Sequence, residues 1–147
     1  MRVIVLILAT IATMAGTSLA QEDVAHVKYR QKVMKSIGAD MGAISDILKN
    51  GLPLTDNIGV HAQSLELAGS LIESAFKAPV SAGHTEALPA IWMDWEGYLE
   101  ATRGFQDAAA ALKEAAASGD QAAIGLAVRQ VGKSCGTCHR QYRKKDE

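Results

Sequence analysis

Proline is scarce in this chain, aromatic residues make up only 5 % of it, and neither sign of charge predominates. Each shortage excludes something. The three prolines, Pro53, Pro79 and Pro89, fall where connections or helix starts are expected, so long stretches are free to run as helix. Few residues follow the alternation of a half-buried strand, which argues against a β-rich fold. The formal charge is −1, with acids and bases interspersed. That balance argues against a nucleic-acid binder and against a protein held on membranes by charge. No low-complexity tract or internal repeat stands out. Beyond the N-terminus, no apolar run is long enough to span a bilayer. Cysteine occurs only twice, and both copies lie near the C-terminus.

Those two cysteines belong to Cys135-Gly136-Thr137-Cys138-His139. Two thiols three positions apart with a histidine directly after the second fit covalent haem attachment of the c type. On a helix, Cys135 and Cys138 share one face, where each can form a thioether with a porphyrin vinyl group. His139 lies one turn beyond Cys135 and can reach the iron from the proximal side. Other readings compete for these residues. The pair can form a structural disulfide. Thioredoxin-like redox chemistry needs alternating strands and helices, which the chain lacks. A structural zinc site needs four ligands, and no second Cys or His cluster supplies them.

The first twenty residues have the pattern of a secretory signal peptide. Arg2 gives a short basic start, Val3 to Thr13 an apolar stretch, and Ser18-Leu19-Ala20 a small-x-small cleavage site. Residues 1–20 are therefore expected to be removed, leaving one domain over residues 21–147 in the periplasm. An uncleaved anchor is the alternative. Attachment of c-type haem outside the cytoplasm agrees with export.

The remainder reads as four amphipathic helices. Val27, Arg30, Met34, Ile37, Met41, Ile44 and Leu48 recur at threes and fours, the seam of a packed bundle. Asn50-Gly51 and Pro53 end this helix, with Gly51 in the left-handed region. A second seam runs Ile58, Ala62, Leu65, Gly69, Ile72 and Phe76, with Thr55 or Asp56 as its N-cap. The longest connection covers residues 77–88. Pro89 then opens a third helix with Trp92, Trp95, Leu99, Thr102, Phe105, Ala109 and Leu112 inward. Ser118-Gly119-Asp120 stops that helix and starts a fourth, on which Ile124, Val128, Val131, Cys135, Cys138 and Tyr142 share the seam. The expected fold is all-α, an antiparallel up-down-up-down four-helix bundle with the haem held inside it.

These marks together resemble the cytochrome c′ family, including its low-spin c-556 and c-554 relatives. The resemblance rests on Tyr29-Arg30-Gln31-Lys32-Val33-Met34, Leu88-Pro89-Ala90-Ile91-Trp92, Ser118-Gly119-Asp120, Val131-Gly132-Lys133-Ser134 and Cys138-His139-Arg140-Gln141-Tyr142-Arg143. It implies one covalent haem c on Cys135 and Cys138, with His139 as proximal iron ligand. Arg30 matches the arginine near a haem propionate, which would also explain a guanidinium on an apolar seam. Arg143 matches a basic residue flanking the proximal histidine. Met34 matches the position facing the distal side of the iron, where members differ. The stretch 77–88 departs from the family pattern, lacking its aromatic-proline and glycine-rich run.

If the Met34 thioether binds iron, the site is six-coordinate and suits one-electron transfer with periplasmic redox partner proteins. This is the leading expectation. The alternative is a five-coordinate iron, with Met34 packing over a pocket for NO or CO. A colourless bundle closed by a Cys135–Cys138 disulfide is the third reading. His26, His61 and His84 are weaker candidates for a second iron ligand. Lys133, Arg140, Arg143, Lys144 and Lys145 form a basic end that can steer an acidic partner or simply complement the helix dipole. No residues require enzymatic catalysis. The resemblance also raises a homodimer built on the first two helices.

Overall fold

The computed structural model describes residues 12–145, with side chains from residue 20 onward. The basic start and most of the apolar stretch of the expected leader lie outside the described residues. Six helical segments occur among the described residues: α1 (Ala12–Lys49), α2 (Asn57–Gly69), α3 (Ile72–Phe76), α4 (Ala90–Met93), α5 (Trp95–Ser118) and α6 (Gln121–Tyr142). The long helices α1, α2, α5 and α6 form the bundle. The short α3 follows α2, and α4 precedes α5.

The turns follow from local chemistry. Gly51 and Gly119 adopt positive φ, 59° and 71°, where a Cβ would strain the backbone. Gly119 closes α5, and Asp120 opens α6 by accepting from the main-chain N–H groups of Ala122 (2.8 Å) and Ala123 (3.2 Å). Replacing Asp120 with alanine should cost about 1 kcal/mol. The denaturation midpoint of the holoprotein should fall at unchanged m value. The second cap differs from expectation. Asp56 stands at the N-cap of α2 but its side chain caps nothing, because its backbone is already helical. The turn there closes through main-chain bonds from Asn57 to Leu54 and from Ile58 to Thr55.

Ile44, Ile58, Leu65, Leu112, Ile124 and Val131 come from all four long helices and are at most 2 % exposed. Burying each such side chain stabilises the fold by about 1.5–3 kcal/mol. The expected second seam is buried throughout, from Ile58 to Phe76, yet it does not run in one helix. Gln106 Nε2 donates to the Gly69 carbonyl (3.1 Å) and Ser70 Oγ donates to Leu67 O (2.7 Å), and the helix breaks there. A Cβ on Gly69 would stand 2.9 Å from Phe105 Cε1, so only glycine lets α2 approach α5 this closely.

The third seam is corrected at its start. Asp94, at φ −128° and ψ 60°, interrupts the helix between α4 and α5. On either side of it Ile91 and Tyr98 face inward, whereas Trp92, Trp95 and Leu99 are only half-buried. Thr102, Phe105, Ala109 and Leu112 are buried as expected. Asp94 also joins two helix ends. Its carboxylate accepts from Gly97 N–H at the start of α5 (3.2 Å) and from the Tyr142 hydroxyl at the end of α6 (2.8 Å).

Candidate functional site

Helix α1 packs on α2 and α3, whereas α6 packs on α5 and α4. Between α1 and the C-terminal half of α6 lies a cavity of about 740 Å³. That is ample for a cofactor cleft. Val27, Arg30, Met34 and Gly38 line it from α1, and Cys138, His139 and Arg143 from α6 and its end. Phe76, Ile91 and Tyr98 supply apolar surface from the other elements.

The connection from Ala82 to Ala87 forms the rim. It is pinned on both sides. Towards α1, Gln31 Nε2 donates to His84 O (2.9 Å) and Arg30 Nη2 donates to Thr85 Oγ1 (3.0 Å). Towards α6, Leu88 N donates to Tyr142 O (2.9 Å), Lys144 N donates to Glu86 O (2.8 Å), and Ala87 makes a single antiparallel bridge with Arg143. The segment that departs from the family pattern in sequence is thus an ordered edge of the cleft.

Most of the residues singled out from sequence meet here. Cys138, His139, Arg30, Met34 and Arg143 all line the one cavity. Cys135 does not line it; it is half-buried one turn earlier, packed against the core. The two sulfurs are not bonded to each other. Burial pushes the Cys138 thiol up to about 11, with Cys135 adding to the effect, and burial raises Cys135 as well. Protonated, buried thiols are poor nucleophiles for disulfide exchange, which weakens the redox-thiol reading. Among the described residues, no group of three or more Cys, His, Asp or Glu could hold a metal ion, so the zinc reading gains nothing either.

His139 stands at the cavity mouth. Partial withdrawal from water lowers its pKa, the nearby Arg143 cation lowers it further, and Glu86 opposes both. A neutral imidazole is the form that ligates iron. Arg143 Nε donates to Glu86 Oε2 (2.6 Å), and this bond, with the arginine's charge, holds the Glu86 carboxyl below the usual carboxylate range. Of the other histidines, His26 is exposed on α1 and His61 pairs with Asp40 at 2.8 Å; neither lines the cavity. His84 lines the rim.

Arg30 gives the strongest sign of what the cavity takes. It is 2 % exposed, so it is not a solvated residue at the edge of the seam. Its guanidinium lies over Phe76 (5.5 Å) and Trp92 (5.3 Å), and Nη1 has no hydrogen-bond partner. Burial lowers its pKa, only partly offset by Tyr98. A buried cation without an anion is costly. A haem carrying propionate carboxylates, and otherwise apolar, fits this lining. Sequence reasoning missed Tyr98, Thr85 and Glu86. For Tyr98 a signal existed: Ile91, Tyr98, Phe105 and Leu112 recur at intervals of seven.

Comparison with known proteins agrees with this geometry. The Cytochrome C′ family model matches residues 25–143. Cytochrome c′ of Rhodospirillum rubrum is 33 % identical over 141 residues, covering 94 % of this chain and 96 % of its own. Cytochrome c-556 of Agrobacterium tumefaciens is 33 % identical over 121 residues, covering 81 % of this chain and 97 % of its own. Among solved structures, cytochrome c prime from Shewanella frigidimarina superposes with a TM-score of 0.78 at 33 % identity, covering 84 % of this chain and 97 % of that one. A nitric oxide complex of a cytochrome c prime variant from Alcaligenes xylosoxidans gives 0.76 at 30 % identity, with the same coverage. A carbon-monoxide-bound variant from that organism gives 0.75 at 31 % identity, again covering 84 % and 97 %. With the bundle, the cleft and these likenesses in agreement, the chain belongs to the cytochrome c′ family of haem proteins.

Proposed function

We propose that this protein is an exported monohaem cytochrome c′ that binds diatomic gases at a five-coordinate iron. Cys135 and Cys138 hold the haem through thioethers, His139 is the proximal ligand, and Arg30 pairs with a propionate. When bound, the haem supplies an iron with one coordination position open to NO or CO. The chain does the rest. Met34 and the neighbouring apolar side chains cover that position and exclude water. Arg143 stands beside His139 with Glu86 as its counter-charge. The observation that carries the reading is that Met34 and His139, on different helices, line the same cleft. NO and CO complexes among the solved relatives support it.

Signal-peptide cleavage after Ala20 would leave the mature domain starting at Gln21, in the periplasm. Among the described residues, no helix is long and apolar enough to cross a membrane. Val60 and Leu67 on α2, and Leu71 just beyond its end, are exposed, offering apolar surface for a second copy in a homodimer.

A second reading is the one-electron carrier with Met34 bound to iron, favoured by the thioether in the cavity lining. The basic end with Lys133, Arg140, Arg143, Lys144 and Lys145, joined at the cavity mouth by Lys28 and Lys35, suits acidic redox partners. One spectrum decides. Ferrous holoprotein with a broad high-spin spectrum that changes on adding CO or NO supports gas binding. Sharp α and β bands, a methionine-to-ferric-iron charge-transfer band and indifference to CO would assign the carrier role instead.

A further inference from the structure

Among the described residues, two side-chain polar atoms are buried without a hydrogen-bond partner: Arg30 Nη1 and the Tyr98 hydroxyl. Buried polar groups in folded proteins are nearly always paired, so each needs a reason. Both residues line the cavity between α1 and α6, at 2 % and 1 % exposure. Both groups also lack the same thing, an acceptor. The guanidinium can only donate, and the hydroxyl, although the Thr102 side chain lies nearby, has no acceptor in hydrogen-bonding geometry.

Neither group is free to swing towards water. Arg30 is anchored by Nη2 on Thr85 Oγ1 and by its contacts with Phe76 and Trp92, which leaves Nη1 over. The Tyr98 ring stacks on Trp95 at 5.5 Å, meets Tyr142 edge-on at 5.3 Å and packs against Phe76 at 5.5 Å. Thr102 Oγ1 donates to the main-chain oxygen of Tyr98 (3.0 Å). Phenylalanine would fill the same ring space without burying an unmet donor. Arg30 and Tyr98 both pack against the Phe76 ring, which places them near one another in the cleft.

We propose that Tyr98 and Arg30 together form a carboxylate-binding pair, each donating to one haem propionate. This deepens the haem reading and rests on it. A carboxylate has two oxygens, enough to satisfy both donors at once, and its charge answers the buried guanidinium. Held on rigid helices, the pair would fix the haem's angle in the cleft before any ligand binds. Tyr98 is thus a positioning residue.

The test is Tyr98→Phe in holoprotein, compared with wild type and with Arg30→Lys. Resonance Raman should show a shifted propionate bending band, and the midpoint potential should fall because the carboxylate charge is less well neutralised. In the variant carrying both changes, the shifts should not be additive, since both donors act on one group. Unchanged Raman band and potential in Tyr98→Phe, even with lowered thermal stability, would overturn the pair. A changed CO or NO stretching frequency with an unmoved propionate band would also overturn it, placing the hydroxyl towards the gas. Wild-type protein without covalent haem would sink the underlying haem reading, a result that the variant spectra cannot imitate.

Discussion

Replacing Cys135 and Cys138 together with alanine should abolish covalent haem completely. The purified chain should have the mass of the bare polypeptide, and acidified organic solvent should strip any remaining pigment. The effect is all-or-none because the expected thioethers have no substitute: these are the only cysteines in the sequence. The bundle itself should survive as helix. Alanine is the strongest helix former, and both positions lie within α6, well away from its N-cap. What it loses is the filling of the cavity of about 740 Å³, and with it the anion for Arg30. A lower unfolding temperature than that of the holoprotein should therefore accompany the loss of colour. Single variants should each keep one thioether. A double variant that still carries acid-resistant haem would reject Cys135 and Cys138 as attachment points.

The helical architecture and most of the site were legible in the sequence because they depend on short-range rules. Threes-and-fours spacing located the core faces of all four long helices, and Gly51, Gly119 and Asp120 marked the turns where they occur. Arg30 could be singled out because a guanidinium on an apolar stripe is expensive unless paired. The failures share a different cause. Asp94 reads as an ordinary polar residue, but it stands at a helix break where one carboxylate oxygen accepts from Gly97 N–H and the other from the Tyr142 hydroxyl, 48 positions away. The rim was equally illegible. Thr85 and Glu86 sit in a stretch with no periodicity, and their roles come from Arg30 and Arg143, 55 and 57 positions distant. Long-range hydrogen bonds leave no local pattern. The Ser70 break escaped notice for the same reason, since the group taking the Gly69 carbonyl is Gln106 on another helix.

Met34→Ala should accelerate binding of CO and NO to ferrous holoprotein by about 10–100-fold, while leaving the iron high-spin. Met34 is half-buried, packed against the core, and lines the cavity from α1. A diatomic entering a filled apolar pocket must displace that side chain. Such crowding typically costs about 1–3 kcal/mol, and each 1.4 kcal/mol removed from a barrier is worth about tenfold in rate. Methionine is flexible enough to yield, so the barrier slows entry without closing the site. Truncation should also lower stability, by less than the 2–5 kcal/mol typical of a fully buried methionine, because the side chain is only half-buried. Flash photolysis reads the rebinding rate, and the absorption spectrum reads the spin state in the same sample. The carrier reading makes the opposite forecast: wild-type iron is low-spin, and the variant turns high-spin with a lower midpoint potential, since a thioether ligand raises it. An unchanged gas-binding rate, spin state and potential would remove Met34 from both mechanisms. The distal cover would then have to come from other apolar residues of the cleft, with Val27 and Ile91 the next to truncate.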